Sequence, residues 1–381
     1  MSVAFPTSGS FIQSVRESSR KARTENKISI TNESIHRLLT SPAFTQSFAG
    51  VSKSHGLAMP LNFSSPLAEL NVLAILSLLN FGSGYRVPLH EATGRGAWDS
   101  IRALVLSMYI ADEKLLTARG MQSVDVGKVA ELMCVKIHIE KPHESIPGVT
   151  VGELGGPMYE LTTLITGVLN ETGDILVKAG YPDLGTFVAQ TPEANDAEAI
   201  LERLVRAIPA FRDMALVNGH PIYCFKKALF LINGIRVRFG ATSSSPFPIP
   251  STSHLPIFSD NVIPSLLVHL GVIDLSASPM QAVFSDAHSE QKIASLLQAS
   301  DVSSRQASRG LPREGPKLTA EQSFILRAAA IDACEMIVSA AESASLGVTL
   351  SDLDAWLWQI AKDRDDYRQL ERFTEKGTVF F

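Results

Sequence analysis

Apolar residues recur at helical rather than alternating spacing through most of this chain, which restricts it to a mainly α architecture. Segments 65–81 (SPLAELNVLAILSLLNF), 97–116, 159–180, 196–208, 319–344 and 350–367 all carry that period. Strand signals are few: CVKIHIE at 134–140 alternates weakly, and GTVFF at 377–381 is short and aromatic. The expectation is a single large helical domain over 29–381 with minor β structure. Residues 1–28 read as a flexible extension and 298–317, polar and aperiodic, as a flexible insertion.

Composition narrows the function. With 381 residues, 45% of them hydrophobic, the chain can bury a large core. Its net charge of −5 leaves no broad basic footprint for duplex nucleic acid, so a small-molecule substrate fits better. Cys134, Cys224 and Cys334 stand far apart, without a CxxC pair, and indicate neither a disulfide framework nor a zinc ribbon. No apolar run approaches the roughly 18 residues a bilayer span requires. No membrane association is expected, and the cytoplasm, or the nucleus, is the default compartment. GSGYR (82–86) and GRGAW (94–98) lack the strand-to-helix setting and third glycine of a dinucleotide loop. His138, Glu140, His143 and Glu144 lack the i, i+4 histidine pair of a helical metal site and read as an exposed polar loop. Neither cofactor nor metal is expected.

Three stretches carry candidate chemistry. In FSDNVIPSLLVHLG (258–271), Ile263, Leu266, Leu267 and Leu270 form one buried helical face and Gly271 ends it. Pro264 is tolerated only in the first turn, which places the helix start at Asp260 or Asn261. Asp260 then sits at the positive end of the helix, where the ionised form is favoured, suiting a base or a stabiliser of positive charge. Capping alone accounts for most aspartates in this setting, so on the residues a plain N-cap is the favoured reading. The Ser- and Pro-rich stretch 240–258 leads into it as a loop over a site. Lys226 and Lys227 open a helix that is otherwise apolar until Arg236, so one of them must approach the core. In LSDLDAWLWQIAKD (350–363), Leu353, Trp356, Leu357 and Ile360 form a packing stripe. Asp354, three residues after Ser351, reads as half of a capping box or as a second carboxylate lining a pocket.

VLNETGDIL (168–176), FRDMAL (211–216), FKKALFL (225–231), FSDNVIPSLLVHLG (258–271) and DAWLWQIAKD (354–363) follow one another in the order and approximate spacing of the queuosine salvage proteins, a family this chain resembles. LLNFG (78–82) and the Lys-x-His at 53–55 extend the likeness. The resemblance implies a helical fold similar to the DNA-glycosylase superfamily. It also implies hydrolysis of queuosine 5′-monophosphate to free queuine for return to tRNA modification. By that likeness Asp260 would stabilise charge developing on the ribose, with Asp354 as a second catalytic carboxylate. Phe81 or Trp356 would stack on the base, Asn80 would read its edge, and Lys226 or Lys227, with His55, would meet the 5′-phosphate. A helical binding protein without catalysis, or a glycosidase for a related modified nucleotide, is the alternative. Arg327 and Glu335, on the long helix 319–344, are expected to form a buried structural ion pair.

Overall fold

The computed structural model describes residues 3–50, 57, 59–241, 245–284, 289–299 and 312–381. The first helices are α1 (Phe11–Glu25), α2 (Asn32–Thr40), α3 (Pro42–Thr45), α4 (Pro66–Leu78), α5 (Arg86–Thr93), α6 (Ala97–Ala111), α7 (Ala118–Ser123) and α8 (Val126–Met133). A hairpin of β1 (His138–Pro142) and β2 (Thr150–Leu154) precedes α9 (Pro157–Lys178), α10 (Leu184–Ala189) and α11 (Ala197–Ala207). A second hairpin, β3 (Met214–Val217) and β4 (His220–Tyr223), leads into α12 (Lys226–Phe239) and α13 (Val262–His269). The remaining helices are α14 (Glu290–Leu296), α15 (Ala320–Ser343), α16 (Leu350–Asp363) and α17 (Asp365–Arg368). The mainly α expectation is borne out. Among the described residues no single helix is long and apolar enough to cross a membrane.

Two helices form the interior. Every residue of α4 from Leu70 to Leu78 is buried, because α6, α10 and α12 pack around it. Gly185 allows the closest of these approaches: a Cβ there would stand 2.6 Å from the Asn71 backbone nitrogen. The second is α15, begun by a Thr319–Gln322 capping box and packed against α1, α2, α13 and α16.

Three sequence expectations need correction. Residues 1–28 are no loose extension over their described part, because Phe11, Val15, Ser19 and Ala22 form the buried face of α1 against α15. Arg16 bonds Glu335 at 2.7 Å and Arg23 bonds Asp332 at 2.5 Å, so arginines of α1 also dock the helix. The stretch around His138 and His143 is only in part a loop: His138 to Pro142 form β1, exposed and paired antiparallel with β2, in line with the weak alternation of CVKIHIE, while His143 and Glu144 lie in the loop after it. GTVFF makes no strand; the nearest pairing is an isolated bridge between Lys317 and Thr374. The β3–β4 hairpin carried a readable signal, Asn218-Gly219, both left-handed, as a tight two-residue turn demands. Of the expected insertion, 300–311 lie outside the described residues, while Gly315 packs directly against the Arg372 backbone.

Candidate active site

The site is built on the head of α12. Asp213, fully buried, accepts the Lys226 backbone N–H at 3.0 Å on its carboxylate, and its carbonyl accepts the N–H of Cys224 at 3.0 Å. Between them Phe225 adopts the left-handed conformation (φ 49°), a strained turn held by its surroundings. Arg327 of α15 grips the same carboxylate in a fork at 2.8 and 2.6 Å and donates to the Ser259 carbonyl at 2.9 Å. Burial works against the Arg327 charge, but the Asp213 carboxylate outweighs it and holds the guanidinium above its ordinary value. Arg327 therefore pairs with Asp213 and Glu335 with Arg16, so the expected structural ion pair is two separate ones.

That clamp presents Lys226, 4% exposed, to the end of α4 and to the loop before α13. Its ammonium donates to the Asn80 carbonyl at 2.7 Å and to Asn80 Oδ1 at 2.8 Å. Burial pushes its pKa down to about 8, against the pull of Asp260 and, more weakly, of Asp213 and Asp354. Asp260 is 6% exposed. Its Oδ1 accepts the Val262 N–H at 2.6 Å, and Trp358 Nε1 makes a long contact of 3.5 Å with Oδ2. Asn261, not Asp260, is the N-cap residue of α13, and its amide donates to the Phe373 carbonyl at 2.8 Å.

Asp354 completes the centre. The cap of α16 is Thr349 with Asp352, so Asp354 is not part of a capping box. Its Oδ2 accepts the Phe258 N–H at 2.9 Å, tying α16 to the segment that carries Asp260. Burial raises its pKa to about 7; the Phe258 N–H opposes this, the Asp260 charge adds to it and Lys226 offsets part. Two carboxylates and an ammonium thus share one desolvated centre, with Asp354 poised to hold or release a proton near neutrality.

Other expected residues lie elsewhere. Lys227 is fully buried and points away, donating to the Leu78 carbonyl at 2.8 Å, with its ammonium 5.1 Å from the Phe81 ring centre. One face of Phe81, itself 2% exposed, is therefore occupied. Trp356 is also fully buried; its Nε1 donates to Ser47 at 2.7 Å and its ring packs on Phe44 and Phe48. The tryptophan at the carboxylates is Trp358, with Trp98 at its edge. Since i, i+4 places 354 and 358 on one helical face, that spacing was the available signal. His55 lies outside the described residues. The surface groove bordered by Arg20, His36, Asp332 and Glu335 contains none of these side chains, and its carboxylates are already paired with arginines.

Fold and site together define a mainly helical protein centred on a buried carboxylate pair and a lysine. Residues 111–295, which include Lys226 and Asp260 and exclude Asn80 and Asp354, match the family described as queuosine salvage protein. The queuosine 5′-phosphate N-glycosylase/hydrolase of Sphaerobacter thermophilus is 24% identical over 210 residues, covering 54% of this chain and 57% of that protein. The chain thus matches little more than half of that relative's length. The resemblance to the queuosine salvage family is borne out by both comparisons.

Proposed function

We propose that this chain is an N-glycosidase that hydrolyses queuosine 5′-monophosphate and releases queuine. The observation that carries the reading is the meeting of Asp260, Asp354 and Lys226 in one buried centre, together with the activity named for the similar protein. Breaking a C1′–N bond builds positive charge on the ribose, and a fixed carboxylate stabilises charge where it develops. Asp260 takes that role, its orientation set by the Val262 N–H and by Trp358. It also accepts the proton of the water that attacks C1′. The leaving base must gain a proton, and a 7-deazapurine has no N7 lone pair to receive one. Asp354, close to half protonated at neutral pH, is the group in this centre suited to supply it. Asn80 Oδ1 is taken by Lys226, so its amide offers a base edge a donor.

The test is queuine release from queuosine 5′-monophosphate by the wild type, Asp260→Asn and Asp260→Ala. Asparagine keeps an acceptor for the Val262 N–H but removes the charge, so turnover is expected to fall by roughly 10³-fold with an unchanged melting temperature. Alanine also loses the bond from the Val262 N–H and is expected to cost about 1 kcal/mol of stability as well. A folded wild type that releases no base overturns the reading.

A further inference from the structure

We propose that Arg86, Arg368 and Arg372, with His90 beside them, form an anion site that receives the phosphate of a phosphomonoester substrate. The assignment rests on the N-glycosidase reading for the identity of the substrate and on the following geometry for the site.

The lysines expected to meet a phosphate are committed elsewhere. Lys227 is sealed in the core, and Lys226 spends two donors on Asn80 while facing Asp260 and Asp354. A dianion brought to that carboxylate pair would be repelled. The three arginines offer the opposite environment. Arg86, at the head of α5, donates through Nη2 to the Arg368 carbonyl at 2.9 Å, which joins α5 to the end of α17. Its Nη1 is buried, with no hydrogen-bond partner among the described residues. His90, one turn along α5, has a buried Nδ1 in the same state. The charges acting on Arg86 are those of Arg372 and Arg368, not of a carboxylate. Arg372 donates to the Ala361 carbonyl at 2.6 Å, and Arg368 reaches Asp365 only at 3.8 Å. Burial, with the charges of Arg372 and Arg368, depresses Arg86 to about 9, and burial with the charge of Arg368 depresses Arg372 to about 10 against the opposing pull of Asp260.

Neighbouring cations, one of them with a buried unfilled donor, are unfavourable until an anion satisfies them, and guanidinium forks match phosphate oxygens. The cluster also lies near the reaction centre. Arg372 lies within the field of Asp260, and the Trp98–Trp358 pair leads from α6, directly after α5, to Asp260 Oδ2.

The experiment uses the full chain, Arg86→Met and Arg368→Met, with inorganic phosphate as the probe in a thermal-shift titration against chloride at matched ionic strength. Base release is compared in parallel for queuosine 5′-monophosphate and the unphosphorylated nucleoside. Phosphate should stabilise the wild type and neither variant. The variants should lose roughly 30- to 100-fold in kcat/KM for the monophosphate, mainly through KM, with the nucleoside unchanged. If neither substrate is cleaved, the glycosidase reading fails while the phosphate titration still decides the anion site. Undiminished phosphate stabilisation in the variants, or an equal loss on both substrates, overturns the proposal. Should Arg86→Met fail to fold, Arg368→Met, whose parent side chain is 36% exposed, decides it alone.

Discussion

Two residues along a helix turn a side chain through about 200°, and that rotation separates the roles of Trp356 and Trp358. Trp356→Phe should lower stability by about 1–2 kcal/mol through the lost Ser47 bond and shrunken packing, leaving turnover intact. Trp358→Phe should leave the melting temperature nearly unchanged and slow base release several-fold, since Asp260 loses its indole contact. Kinetics and melting measured on both variants would expose an exchanged assignment. Asp354 makes a prediction in pH. Its folded pKa, about 7, lies above the ordinary 3.8. Below pH 3.8 both folded and unfolded states hold the proton and nothing is lost. Between there and pH 7 the unfolded chain releases its proton first, so the wild type loses stability as pH rises. Asp354→Asn does not titrate. Its stability relative to wild type should therefore climb by roughly 2–4 kcal/mol between pH 4 and 8, measured by urea unfolding at each pH.

At the scale of elements, the site depends on how the 372–381 segment lies against the turn between α4 and α5. The Gly82 N–H donates to the Phe381 carbonyl at 3.1 Å, with Gly82 at φ +108°. A Cβ on Gly84 would come within 2.2 Å of the Glu375 carbonyl. Gly84→Ala should displace that segment and Arg372 with it. Expected are a stability loss of roughly 1–3 kcal/mol and weakened substrate binding, seen as a lower melting temperature and a raised KM. A variant with wild-type melting and KM would show that the close approach is dispensable. Long helices such as α9, α11 and α16 were legible because each buries a face at period 3.6, whereas α1 reads as a flexible extension; α13 announced its start through Pro264. Asp260 was legible for the same reason. The hairpins were harder to read: β1 and β2 are exposed along their length and carry no buried alternation. The arginine cluster was invisible, since Arg86 meets Arg368 through a bond between segments remote in sequence.

Across the whole molecule, the Arg327–Asp213 fork holds α15, the β3 approach, the head of α12 and the Ser259 carbonyl together at one point. Removing one member leaves a buried charge without its partner, so Asp213→Asn should cost about 3–5 kcal/mol and abolish turnover together. Chemical denaturation alongside the assay would test the coupling, and a stable but inactive variant would contradict it. The same interior also shelters charges that oppose folding, in Lys226 and Asp354, whose pKa values burial has driven toward neutrality. A lineage bred in the laboratory for heat resistance alone would gain by replacing either with an uncharged side chain of similar shape. Survivors of such a selection would be expected to accumulate at these positions first, so any thermostability campaign on this scaffold has to score base release in every round.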